Sequence, residues 1–350
     1  MSIMLREIRE QPRVIEKTLK SERKGFEKLR RQFEKKRPSM VVLAARGTSD
    51  NAAQFGRYLI EITTGIPVSL AAPSVTTLYQ APMRLEGALV AAVSQSGEST
   101  DTNVVLEAAK KAGAFTVGIT NEAGSTLARL ADFPVLIRGG REKSVAATKT
   151  YTGQLLGFYL LAWALGANIK MEDLERLPEW GECALSLEDE IAARAERYRF
   201  MEKAVVVGRG LNYSNAFEWA LKMMETCYVV AERFSQADIL HGPIAMVGQS
   251  FPAFLIAPPG VTWPVMQQLS GRLASLKADT LLLTDESNKT APKSAIRIPA
   301  KLAHRGALPE DVYTPIPYII PAQMFAAKLA EVRGLDPDQP RGLHKVTLTL

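Results

Sequence analysis

Short apolar runs recur along this chain, separated by stretches long enough for one helix each. In the first half they fall at residues 40–45, 67–70, 89–93, 115–119 and 133–137. Runs this brief and this continuously apolar read as strands buried on both faces rather than as buried helices. Helical patterning lies between most of them, around residues 51–63, 103–112 and 125–130, and a longer helix runs from 149 to about 165. Strand–helix alternation of this kind predicts a parallel sheet with helices on both sides. After a polar, Glu-rich connector from 170 to about 198, the plan repeats with apolar runs at 203–207, 227–231, 251–256, 279–283 and 295–298. Residues 4–37 read as helices, with a start or kink at Glu10-Gln11-Pro12.

The chain has 350 residues, 47% hydrophobic and 23% charged, enough for two soluble domains of ordinary composition. No apolar run approaches the length of a membrane span, and the first residues lack a signal-peptide core, so a cytoplasmic protein without a membrane partner is expected. The two cysteines, Cys183 and Cys227, and the three histidines, His241, His304 and His344, are scattered. Neither a disulfide framework nor a zinc spacing results, and neither a metal nor a cofactor is expected. The formal charge is +6, with much basic character between Lys17 and Arg37. Glu16, Glu22, Glu27 and Glu34 interleave with those cations, which favours a solvated helix face over a nucleic-acid footprint. A basic protein also attracts anionic small molecules.

The densest candidate chemistry is the run from Ser94 to Thr102, Ser-Gln-Ser-Gly-Glu-Ser-Thr-Asp-Thr. It follows one predicted strand and precedes a helix. Five hydroxyls and unpaired backbone N–H groups at a helix N-terminus suit a phosphate, beyond what a single helix cap requires. The turn Arg46-Gly47-Thr48-Ser49 ends the preceding first strand and would converge on the same sheet rim. At the corresponding third strand of the second half stands Ala257-Pro258-Pro259-Gly260, where proline removes N–H donors. If the halves are duplicates, only the first has kept the anion site. Glu218, Lys222 and Glu225 share one helix face, as an exposed ion-pair ladder or, if enclosed, as a proton shuttle. His241 is an acid–base candidate. Lys345 follows a Pro/Gly-structured tail and could attack a carbonyl if desolvated, or be a solvated terminal lysine.

These segments, with Val145-Ala146-Ala147-Thr148-Lys149, His241-Gly242-Pro243 and Asp338-Gln339-Pro340-Arg341…Lys345, occur in an order that closely resembles the isomerase region of glutamine–fructose-6-phosphate aminotransferases. That region consists of two sugar-isomerase (SIS) domains, and the resemblance covers nearly the whole chain. It implies an α/β fold of two tandem SIS domains, each a parallel five-stranded sheet flanked by helices in three flavodoxin-like layers. The expected boundaries are a helical segment at 1–38, the phosphate-binding domain at 39–168, a helical connector at 169–199, the second domain at 200–332 and an active-site tail at 333–350.

The resemblance further implies phosphate and sugar contacts from Thr48, Ser49, Ser94, Gln95, Ser96, Ser99, Val145, Ala147 and His344. Glu225 would move a proton between C1 and C2 with help from Lys222. His241 would open the sugar ring from the partner subunit of a homodimer, and Lys345 would form a Schiff base with the keto sugar. Three positions depart from the family pattern: Arg46 stands in place of Cys, Ala147 in place of Ser and His344 in place of Ala. Residue 2 is Ser2 rather than a glutaminase nucleophile, so no ammonia release from glutamine is expected. The expected activity is a phosphosugar aldose–ketose isomerase working as a deaminase, converting glucosamine 6-phosphate and water to fructose 6-phosphate and ammonia. Galactosamine 6-phosphate deamination, fructosamine 6-phosphate deglycation and a sugar-phosphate-sensing module are the alternatives.

Overall fold

The chain opens with α1 (Ile3–Arg9) and α2 (Gln11–Lys35), which break where the sequence predicts, at Glu10. The computed structural model describes residues 1–302, 306–343 and 345. These divide into two units. The first comprises residues 13–142 and 149–175 with Lys345; the second comprises 1–12, 143–148, 176–302 and 306–343.

In the first unit, β1 (Val41–Ala44), α3 (Thr48–Thr64), β2 (Val68–Leu70), α4 (Pro73–Thr77), β3 (Leu89–Val93), α5 (Thr100–Lys111), β4 (Phe115–Thr120), α6 (Thr126–Leu130), β5 (Phe133–Leu136), α7 (Lys149–Ala164) and α8 (Met171–Leu174) follow in turn. The sheet is parallel throughout, in the order β2-β1-β3-β4-β5. Strand alternation sends Val42, Ala44, Val90 and Ala92 to one face, where Val105, Leu106 and Leu127 of α5 and α6 cover them. On α7 every residue but Trp163 is buried, so this helix carries no polar stripe. Phe26 and Phe33 of α2 pack edge-to-face on Phe133 and Phe115, at ring separations of 5.2 and 5.5 Å. The basic residues of α2 lie outward on the solvated face that their interleaved acids predict, with i,i+4 pairs such as Lys20–Glu16 at 2.5 Å.

The second unit holds α9 (Leu177–Leu185), α10 (Glu188–Arg197), β6 (Lys203–Gly208), α11 (Tyr213–Cys227), β7 (Val230–Ser235), α12 (Gln236–Leu240), β8 (Pro252–Ile256), α13 (Trp263–Ser275), β9 (Asp279–Asp285), β10 (Ile296–Ile298) and α14 (Pro315–Val332). Its strand order, β10-β9-β8-β6-β7, reproduces that of the first sheet, with the third strand beside the first and the second at an edge. Val205, Val207, Ala253 and Leu255 meet Trp263, Met266, Leu269 and Leu273 of α13. Elsewhere in the unit, Phe254 packs against Trp219 of α11 and Phe325 of α14, at 5.1 Å in both cases.

One strand is displaced from its expected place. The run 227–231 starts in a helix end and a turn and only its last two residues reach the strand: α11 continues to Cys227, Tyr228 adopts a left-handed φ of 56°, and the strand is Val230–Ser235. As an edge strand β7 is largely exposed and carries Glu232 and Arg233, so it lacks the apolar run that marks its neighbours. Helix α14 also goes unsignalled in the sequence, because Pro315, Pro317 and Pro321 read as breakers. Proline at its start is compatible with helix geometry, and nearly complete burial of the helix outweighs the bond lost at Pro321. No helix among the described residues is long and apolar enough to cross a membrane.

Candidate functional site

In the first sheet β1 feeds β2 on one side, whereas β3 feeds β4 on the other. The chain therefore diverges between β1 and β3, and a crevice opens at their carboxyl ends, where ligands of open α/β sheets bind. Both hydroxyl-rich turns leave the sheet there. Thr48 and the buried Ser49 form the first turn of α3, after Gly47 with a φ of 56°. Ser94 follows β3 directly, and Ser99 is the N-cap of α5.

The loop between is pinned by its own polar groups. Gln95 O accepts from Asn121 N and Thr120 Oγ1 at 3.1 and 3.2 Å. Ser94 Oγ accepts from Gly97 N, and Ser96 Oγ from Glu98 N. Ser49 Oγ accepts from Gln154 Nε2 at 2.9 Å. In each case the hydroxyl accepts, so its own O–H can still be given to a phosphate oxygen. Ser99 makes no side-chain cap bond, so its hydroxyl is not spent on the helix end it occupies. Gly97 sits at φ 67°, and a Cβ there would run into the Ser125 side chain. The loop's acid, Glu98, is engaged elsewhere: the Thr126 N–H and hydroxyl donate to it and hold its carboxyl below the usual range.

Arg46 gives this rim a cation. Its Nε and Nη2 both reach Oδ2 of Asp101, at 2.9 and 2.5 Å. The Asp101 carboxylate is buried, while the arginine side chain is 52% exposed.

In the second unit, Glu218, Lys222 and Glu225 do share one face of α11, but that face looks inward. The side chains of Glu218 and Lys222 are wholly buried and that of Glu225 is 22% exposed. Lys222 Nζ lies 2.5 Å from Glu225 Oε2 and 3.4 Å from Glu218 Oε1. Burial alone would depress the lysine pKa, but the two carboxylates outweigh it and raise it. The exposed ladder is thus replaced by an enclosed ammonium between two carboxylates, because this face of α11 packs into the unit rather than toward water. Glu225, the member that keeps some access to solvent, can exchange a proton with a bound molecule while Lys222 stabilises negative charge beside it.

His241 is exposed at the C-terminal end of α12, and among the described residues its side chain makes no hydrogen bond to Lys222 or Glu225. Val145 and Ala147, both half-buried, lie in the segment 143–148. Glu7 of α1 secures this segment by accepting from Lys143 N and Ser144 N at 2.6 and 3.1 Å. Asp338 of the tail in turn accepts from Ile3 N and Met4 N at 2.6 and 2.7 Å. Lys345 belongs to the first unit, with its Nζ 3.0 Å from Oε2 of Glu142. His344 lies outside the described residues.

Comparison with known proteins decides the family. The SIS domain family matches residues 34–164 and 200–332, one segment around each sheet. The chain belongs to the SIS family. Over 349 residues it is 35% identical to the glutamine–fructose-6-phosphate aminotransferase (isomerizing) of Aquifex aeolicus, matching 98% of this chain and 57% of that protein. It thus spans little more than half the length of the curated relatives it matches. Among solved structures it resembles the C-terminal domain of the glucosamine–fructose-6-phosphate aminotransferase of Francisella tularensis, with a TM-score of 0.86 at 26% identity, covering 97% of this chain and 98% of that one. The fold is shared with glucosamine-6-phosphate deaminase from Thermotoga maritima, with a TM-score of 0.77 at 23% identity, covering 99% and 100%.

Within the two SIS segments, sequence reasoning missed two partners of residues it had singled out. One is Asp101, which fixes Arg46; the other is Glu142, which holds Lys345 from 203 positions away in sequence. No local spacing signals either pair. The first unit also has a cavity of about 620 Å³ lined by Val42, Leu70, Val75, Leu85 and Val105 among others. It is mainly apolar and includes none of the Ser94–Ser99 loop, so it does not contribute to the anion site.

Proposed function

We propose that this SIS protein is a phosphosugar aldose–ketose isomerase acting as an aminosugar-phosphate deaminase. The phosphate is held by the hydroxyls of Thr48, Ser49, Ser94, Ser96 and Ser99, with Gln95, at the N-termini of α3 and α5. Val145, Ala147 and His344 border the sugar. His241 of the partner subunit opens the ring. Glu225 removes the proton from C2 of glucosamine 6-phosphate and returns it to C1, while Lys222 stabilises the enolamine formed between. The resulting C2 imine exchanges its nitrogen with Lys345, releasing ammonia, and hydrolysis then frees fructose 6-phosphate.

The observation that carries this reading is the buried Lys222 ammonium bonded to a carboxylate that remains partly open. A structural ion pair has no need of that opening, whereas a proton-transfer pair requires it. The relation to the aminotransferases supports the sugar phosphate, and the similarity of fold to a deaminase fits the direction. The test is ammonia release from glucosamine 6-phosphate and galactosamine 6-phosphate, alone and with Glu225→Gln. Release that disappears in the variant is expected; binding of both sugars without release from either overturns the proposal and favours a sensor. A second reading, deglycation of a fructosamine 6-phosphate, draws on Arg46, whose half-exposed guanidinium could pair with an acidic substituent on the amine. In that case amine release from an amino-acid-linked fructosamine phosphate outpaces ammonia release, and Arg46→Ala abolishes the preference.

A further inference from the structure

Glu142 lies midway along the segment that leads from β5 to α7. Its side chain is completely buried. Oε1 and Oε2 accept from the N–H and hydroxyl of Thr150, at 3.2 and 2.7 Å, which caps the first turn of α7. Oε2 is also 3.0 Å from Nζ of Lys345, whose side chain is 26% exposed. Lys149, nearby in sequence and also buried, donates its Nζ to Arg141 O at 3.1 Å.

A helix cap needs no charge, since a neutral amide or hydroxyl oxygen serves as well. Burying a carboxylate is costly unless a cation accompanies it. The pairing with Lys345, across 203 positions, also fixes that amine in place within the first unit. A flexible lysine stem would otherwise sample many rotamers, and an ammonium cannot attack a carbonyl until it loses a proton.

We propose that Glu142 is the positioning residue for Lys345 and the acceptor of its proton. The inference rests on the reading of Lys345 as the amine that condenses with the sugar. In that step one proton passes from Nζ of the Lys345 ammonium to Oε2 of Glu142. The neutral amine then adds to the C2 carbonyl of the keto sugar, forming the N–C bond of a carbinolamine. The proton held by Glu142 goes back to the carbinolamine oxygen, which leaves as water, and the nitrogen lone pair closes the protonated imine. Glu142 ends as a carboxylate again, ready to hold the amine when hydrolysis releases it.

The test uses the full chain, fructose 6-phosphate and borohydride, with the reduced adduct located by mass spectrometry. Wild-type protein is expected to gain the adduct on Lys345, and Lys345→Ala to lose it. Glu142→Gln keeps an oxygen for the α7 cap but removes the proton acceptor. It should trap the adduct on the order of a hundredfold more slowly, with kcat reduced alike and KM for the phosphosugar little changed. Glu142→Asp, which retains the charge but withdraws it by one methylene, should recover part of the rate. Trapping by Glu142→Gln at the wild-type rate overturns the role of Glu142 and leaves the Schiff base standing. Turnover by wild-type protein with no adduct on Lys345 instead overturns the Lys345 reading. If Glu142→Gln does not fold, Glu142→Asp decides, and a wild-type trapping rate in it overturns the proposal.

Discussion

Replacing Lys222 with methionine tests whether the enclosed triad on α11 is as charged and as dry as its geometry implies. Methionine fills much of the same space but leaves the Glu218 carboxylate, which has no exposed surface, without its ammonium 3.4 Å away. Removing one partner of a buried pair costs about 3–5 kcal/mol, whereas an exposed pair is worth about 0–1 kcal/mol. Glu225, at 22% exposure, is partly relieved by water, so most of the loss falls on Glu218. For a unit of this size each kcal/mol shifts Tm by about 2–4 °C, and the drop should therefore be roughly 6–20 °C.

The pH dependence follows from the raised pKa of Lys222. A lysine whose folded pKa exceeds its unfolded value of about 10.4 contributes stability fully below that pH and loses it as the pH climbs through the folded value. The gap between wild type and Lys222→Met should hold steady from about pH 6 to 9 and narrow only in strong alkali. Urea unfolding at several pH values, with the slope checked for constancy, measures it. Pairing Lys222→Met with Glu218→Gln should restore part of the loss, by about 1–3 kcal/mol of coupling. A loss under about 1 kcal/mol for Lys222→Met would mean that the triad behaves like a surface ladder, and the argument for a proton-transfer pair would fall with it.

Other outcomes follow from single features. Gly97→Ala forces a side chain into a left-handed position at about 1–2 kcal/mol and against Ser125 as well; titration calorimetry should show phosphosugar binding lost while far-UV dichroism is retained. Burial pushes the Cys227 thiol up to about 11, and it donates to Ala326 O, so iodoacetamide at pH 8 should spare Cys227 in the native protein and label it only in denaturant. Asp338→Ala removes the acceptor for two N–H groups at the start of α1 and should cost about 0.5–2 kcal/mol in urea unfolding. A loss far outside that range would show that the tail does more than cap the helix.

The strands buried on both faces were legible because such strands must be apolar throughout, and nine of the ten apolar runs fall on strands near their expected places. The tenth was misplaced for the converse reason: β7 is an edge strand whose exposed side tolerates Glu232 and Arg233. The anion loop was readable too, since strand, hydroxyls, glycine and helix are contiguous and their chemistry is local. Helical spacing put Glu218, Lys222 and Glu225 on one face of α11. Periodicity gives the relation of side chains to one another, however, and not to water; only packing placed that face in the interior, where the ammonium and carboxylates gain their strength. Arg46–Asp101 and Glu142–Lys345 were further beyond reach, because each joins residues far apart in sequence. The sequence by itself determined two parallel α/β sheets and an anion-binding turn, both consequences of contiguous pattern. Tertiary structure decided which charges are buried and which partners they meet, because desolvation and long-range contact exist only once the chain has folded.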